Sequence, residues 1–77
     1  MRRRVPEPRD LLAAVERVGG DGFVRRDDLA REFPRSSHRD LRSGIARAVA
    51  AGFLISRRHC GRIHLALAPE GWSLLRR

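Results

Sequence analysis

The stretch SHRDLRSGIARAVAAGFLISRRHCGRIHLAL, residues 37–67, decides the reading of this chain. Its first part has a helical period. Ser37-His38-Arg39-Asp40 has the spacing of a capping box, with Asp in place of the usual Glu. Leu41, Ile45, Ala48 and Val49 fall on one side of a helical wheel. Arg39, Ser43 and Arg47 recur at i, i+4, i+8 around the opposite side, with Arg42 flanking them. Gly52 suits the position just past the helix end. The period then changes to two. Leu54, Ser56 and Arg58 alternate with Ile55 and Arg57, and Arg62, His64 and Ala66 alternate with Ile63, Leu65 and Leu67. Between them, Arg58-His59-Cys60-Gly61-Arg62 holds a glycine for a hairpin turn. A helix followed by two strands of about five residues with a basic tip is the expected local structure.

Upstream, residues 1–8 read as a flexible, basic, proline-punctuated arm. Pro8 suits the first turn of a helix that carries Leu11, Leu12, Val15 and Val18 on one stripe. Gly19-Gly20-Asp21-Gly22 ends it. Phe23-Val24 is too short for an independent strand but suits a sheet edge. A second helix is expected over residues 26–33, with Asp27 and Asp28 in its first turn and Leu29, Ala30 and Phe33 inward, stopped by Pro34. Downstream, Pro69-Glu70-Gly71 breaks the last strand, and Trp72, Leu74 and Leu75 form a short closing helix. Phe23, Phe33, Phe53 and Trp72 read as core packing.

The chain has 77 residues, room for one domain with a thin core, and none for a large catalytic cleft. No apolar run reaches the roughly 18 residues of a membrane span. Met1-Arg2-Arg3-Arg4 leads into Pro6-Glu7-Pro8 rather than an apolar signal core, so a cytoplasmic protein is expected. One cysteine, Cys60, excludes an intrachain disulfide.

Charge separates the function classes. Seventeen basic residues against nine acidic ones give a net charge of +8, and every basic residue is Arg. Lys, Asn, Gln, Thr and Tyr are absent, a bias that a GC-rich genome explains. Arg nevertheless forks onto phosphates and guanine edges in a way that Lys does not. The excess is uneven. Residues 5–33 hold five Arg and seven acids, whereas residues 34–77 hold nine Arg and two acids. Such asymmetry is the footprint of a polyanion binder.

The order helix, helix, helix, basic hairpin resembles the winged helix-turn-helix family, in the style of MarR-like and PadR-like bacterial regulators. Val24-Arg25-Arg26-Asp27-Asp28-Leu29-Ala30 is similar to the start of the family's second helix. Ala50-Ala51-Gly52-Phe53-Leu54-Ile55 resembles its exit from third helix into wing. Leu65-Ala66-Leu67-Ala68-Pro69-Glu70-Gly71-Trp72-Ser73-Leu74-Leu75 resembles its exit from wing into a final helix. The resemblance implies an α+β fold over residues 9–77: three helices, a two-stranded β-hairpin wing and a short C-terminal helix. It also implies a third helix in the DNA major groove and a wing tip on the adjacent backbone or minor groove. The groove-facing candidates are then Ser36, Ser37, His38, Arg39, Arg42, Ser43 and Arg47. The wing candidates are Arg57, Arg58, His59 and Arg62, and the arm adds Arg2, Arg3 and Arg4. The long helices that those regulators use for dimerisation and ligand sensing are missing, so no small-molecule effector is expected.

The expected function is a small transcription regulator that binds double-stranded DNA as a homodimer. The alternatives are a sequence-nonspecific nucleoid, partition or recombination-accessory protein, and a winged-helix module for protein, RNA or ribosome binding. Without Asn or Gln, the usual readers of adenine, base readout falls to Arg39 or Arg42 on guanine. Neither catalysis nor a cofactor is expected. Ser36, Ser37, His38 and Asp40 contain the letters of a hydrolase triad, but one helix start cannot give them its geometry. His59, Cys60 and His64 match no zinc spacing, so no metal is expected.

Overall fold

The structure is a computed structural model and describes residues 5–77; Arg2, Arg3 and Arg4 lie outside the described residues. It is an α+β fold with the element order α1 (Pro8–Gly19), β1 (Val24–Arg25), α2 (Arg26–Ala30), α3 (His38–Ala50), β2 (Leu54–His59), β3 (Arg62–Leu67) and α4 (Pro69–Leu75). Among the described residues no helix is long and apolar enough to cross a membrane.

The helix ends follow local chemistry. Pro8 and Pro69 open α1 and α4, where their missing N–H groups have no helical partner to lose. Ser37 caps α3, its Oγ accepting from the Asp40 N–H at 3.1 Å. At the other end Gly52 adopts φ 84°, the Phe53 N–H reaches the Ala48 carbonyl at 2.9 Å, and the Gly52 N–H reaches Val49 at 3.0 Å. This is a Schellman closure, and its left-handed residue is why glycine stands there.

Helix α2 stops three residues earlier than the sequence pattern suggests. After Ala30 the N–H groups of Arg31, Glu32 and Phe33 each reach back only three residues, to Asp28, Leu29 and Ala30. Pro34 disfavours helical geometry at Phe33, and the tighter turns carry the chain into it.

The sheet has three antiparallel strands in the order β1-β3-β2, not the two expected from the hairpin alone. Val24 pairs with Leu65 and Arg25 with His64. On the other side of β3 the register runs from Leu54 with Leu67 to His59 with Arg62. A two-residue strand is stable here because β3 presents a preformed edge to it.

Leu11, Leu12, Ala14 and Val15 of α1 meet Leu29, Leu41, Ile45, Ala48, Val24, Leu54, Leu65 and Leu67 in one core. Each fully buried leucine contributes about 1.5–3 kcal/mol relative to an exposed one. Phe33, Phe53 and Trp72 pack against this core as expected. Phe23 does not: it is 42% exposed. Adjacent strand residues point to opposite faces, so burying Val24 turns Phe23 outward. Val18, expected on the α1 stripe, is also exposed in the last turn of that helix.

Candidate nucleic-acid interface

Helix α3 divides the candidate residues by its own period. Asp40, Leu41, Gly44, Ile45 and Ala48 are buried, while His38, Arg39, Arg42, Ala46, Arg47 and Ala50 are exposed and Ser43 is half-buried. The centre of the outward face is therefore the Arg39–Arg42–Ala46 line. Arg47 lies at its edge, where it lines a small cleft with Val5, Pro6, Glu7, Pro8 and Gly44. An added Cβ on Gly44 would stand 3.2 Å from the Pro6 Cδ, so the segment preceding α1 rests on this glycine. Ser37 is committed to capping; Ser36 is half-buried in the preceding loop, and His38 is exposed at the helix start.

Arg42 looks into two clefts. One, of ≈ 380 Å³, runs between α3 and the β2–β3 hairpin and is lined by Ile45, Ala46, Val49, Ala50, Ser56 and Ile63 with Arg26 and Arg42. The other, of ≈ 200 Å³, lies between α2 and α3 and again includes Arg26 and Arg42, with His38 and Asp27. Arg26 is thus a member of this surface that the sequence reading does not include. It belongs to the chain segment with an acidic balance, and only packing of the α2 start against α3 brings it beside Arg42.

The hairpin distributes its candidates over both sides of the sheet. Cys60 (φ 52°) and Gly61 (φ 74°) form the whole loop between His59 and Arg62, a two-residue turn with both centres left-handed. This geometry matches the right-handed twist of the strands it joins. Cross-strand partners share a face. Arg58 therefore lies with Ile63, on the side that lines the cleft beside α3. Arg57 lies with His64 on the opposite side, and His59 with Arg62. The Arg57 guanidinium sits over the Phe23 ring at 5.0 Å. Arg62 Nη1 is 3.4 Å from Asp27 Oδ2, which ties the hairpin tip to α2.

Pairing distinguishes the arginines. Arg17 bonds Glu32 at 2.8 Å, Arg25 bonds Asp28 at 3.1 Å, and Arg31 stands 3.9 Å from Asp28. The hydrogen bond from Arg25 holds the Asp28 carboxyl below its ordinary pKa, and the same bond raises that of Arg25. Among the described residues, Arg26, Arg35, Arg39, Arg42, Arg47 and Arg58 have no carboxylate within ion-pair distance. They leave α3, its approach and the adjoining cleft as a cationic surface.

Cys60 is an exposed free thiol. The His59 and His64 rings meet edge to face at 6.0 Å. The described residues contain no group of three or more His, Cys, Asp or Glu arranged to hold a metal ion. Comparison of the chain with protein-family models, with curated proteins and with solved structures gave no match.

Proposed function

We propose that the chain is a winged-helix protein that binds double-stranded DNA and regulates transcription, with α3 entering the major groove and the β2–β3 hairpin serving as the wing. The observation that carries this reading is the unpaired arginine surface formed by Arg39, Arg42 and Arg47 on α3, with Arg26 beside them and Arg58 on the facing side of the hairpin. An element order of three helices, a short edge strand and a basic hairpin is compatible with that architecture. Arg39 and Arg42, central on the helix face, read guanine O6 and N7 through bidentate contacts. Ser36, His38, Ser43 and Arg47 make flanking contacts, and Arg57, Arg58, His59 and Arg62 approach the backbone or minor groove at the wing. Arg2, Arg3 and Arg4 add phosphate contacts from the arm.

One helix and one wing bury only about 600–1,000 Å². Two copies about a two-fold axis supply the rest and read an inverted repeat with half-sites about one helical turn apart. The working compartment is the cytoplasm, on the nucleoid.

The test is selection from a random duplex library at two salt concentrations. A recovered palindrome supports a sequence-specific regulator and reports the dimer spacing. Salt-sensitive binding without a motif moves the assignment to an architectural DNA binder, and absence of duplex binding at low salt overturns it.

A further inference from the structure

The outer face of the sheet takes no part in the α3 surface, and it has its own composition. The register places Arg25, His64 and Arg57 in one row across the three strands, with Arg62 and His59 in the next. Ala66 and Ile55 form the row on the other side. Phe23, one residue ahead of β1, continues the register opposite Ala66, and its ring is the one that Arg57 covers. Three rings therefore cross this face on a diagonal: Phe23 beside β1, His64 on β3 and His59 on β2. The His64 and His59 rings are 6.0 Å apart. His64 is held in place by its own Nδ1–H, which donates to the Arg62 carbonyl at 3.2 Å. Phe23 and Ile55 are 42% and 43% exposed, while Ala66 between them is buried, so the accessible apolar surface is that of the two flanking side chains.

We propose that this face is a second nucleic-acid site, and that it binds single strands. A strand with unstacked bases offers the flat π faces that a diagonal of rings requires, whereas in a duplex those faces are hidden in the stack. One base stacks on the Phe23–Arg57 pair, and a second stacks on the outer face of one of the two histidine rings, which stand edge to face to each other. Arg57 has no carboxylate partner among the described residues, so its charge, held over the Phe23 ring, is not neutralised. Arg25 and Arg62 flank it, each paired with an aspartate in the first turn of α2, Asp28 and Asp27 respectively. The charge suits a polyanion better than a protein partner, because the cores of protein interfaces are depleted of charge.

Fluorescence anisotropy with the full chain tests this, using labelled oligothymidylate, oligouridylate and a duplex of matched length. Both single strands are expected to bind, with affinity falling as salt rises. Phe23→Leu keeps the apolar bulk but removes the ring, and should weaken strand binding by about 5- to 100-fold. It should change duplex binding less than about twofold. His59→Ala should also weaken strand binding, but because His59 belongs to the wing as well, of the two only Phe23→Leu separates the sites, and thermal melting verifies that each variant is folded. Arg39→Ala should spare the single strand. Absence of strand binding at low salt overturns the proposal, as does strand binding that Arg39→Ala removes and Phe23→Leu spares. Tighter binding of one oligomer reports a combined preference for sugar and base 5-methyl group, and supports the site when Phe23→Leu reduces that preference. Failure of the α3 reading appears separately, as loss of duplex binding with strand binding intact.

Discussion

The two halves of the molecule are both rich in arginine, yet they use it in opposite ways. In residues 5–33, Arg17, Arg25 and Arg31 are matched by Glu32 and Asp28, and the segment supplies α1, around which the core assembles. In residues 34–77 the arginines of α3 and Arg58 are left without carboxylates, on elements whose other faces are buried. The contrast lies in pairing rather than in number, with Arg9 unpaired among the described residues in the first segment and Arg62 paired with Asp27 in the second, and the unpaired arginines of α3 are those proposed to bind DNA. Arg26 sharpens the point. It belongs by sequence to the neutralised half but lines both clefts next to α3.

The largest effect should come from breaking the scaffold half. Leu12→Ala removes a fully buried side chain from α1 and is expected to cost about 2–5 kcal/mol of folding stability in chemical denaturation. At temperatures where the variant remains folded, its DNA affinity should stay near that of the parent chain. Next in size is the binding half. Arg39→Ala and Arg42→Ala should each cost about 1–3 kcal/mol of duplex binding and relax preference at one guanine. A panel of guanine-to-inosine and base-swapped duplexes measures this; unchanged base preference would remove the assigned readout. Arg17→Ala, the contrasting change, should alter binding by no more than a few tenths of a kcal/mol, because its exposed pair with Glu32 is worth at most about 1 kcal/mol even to folding. Arg26→Ala decides to which half that residue belongs, and it is expected to weaken binding and flatten the salt dependence by about one phosphate contact.

A smaller effect concerns the hairpin tip. Cys60 holds a left-handed conformation that Asn adopts more readily. Cys60→Asn should raise stability by about 0.5–1 kcal/mol, read as an increase in melting temperature. The smallest effect is that of pH on the neutralised half. Arg25 holds Asp28 below its ordinary pKa. The contribution of this pair is therefore complete above the ordinary carboxylate range and is lost as pH falls through the lowered value. Asp28→Asn should reduce the acid sensitivity of unfolding over that interval, and an unchanged acid profile would show that the pair contributes nothing to folding.

Much of the fold was legible because strong local signals agree. The α3 cap, its Schellman end at Gly52, and the alternation that gives β2 and β3 all arise from residues near one another in sequence. The limits of α2 were less so. The pattern Leu29, Ala30, Phe33 allows another turn of helix, and the competing demand of Pro34 on Phe33 appears only when both are satisfied together. The outward turn of Phe23 was hidden for a related reason. Its side follows from Val24, and the side of Val24 follows from pairing with Leu65, more than forty positions away. Of the interface, the outward set on α3 was legible from helical period. The role of Arg26 was not, since no local pattern reports which helix start will pack against α3.

By itself, then, the sequence determined the identity and span of α3, the hairpin and the starts of α1, α2 and α3, whereas α4 takes in Pro69-Glu70-Gly71, read from the sequence as a break. Propensity, capping and periodicity act over a few residues and need no distant partner. It also determined where charge is in excess, because that is a matter of composition. Tertiary structure decided the third strand, the exposure of Phe23, the placement of Arg26 and which side of the sheet each of the alternating residues Arg57 and Arg58 faces. Each of these depends on the register of β3 with both neighbours or on the packing of α2 against α3. A register fixes the face of every residue it pairs, and it is set by burial of the whole apolar set rather than by any one segment.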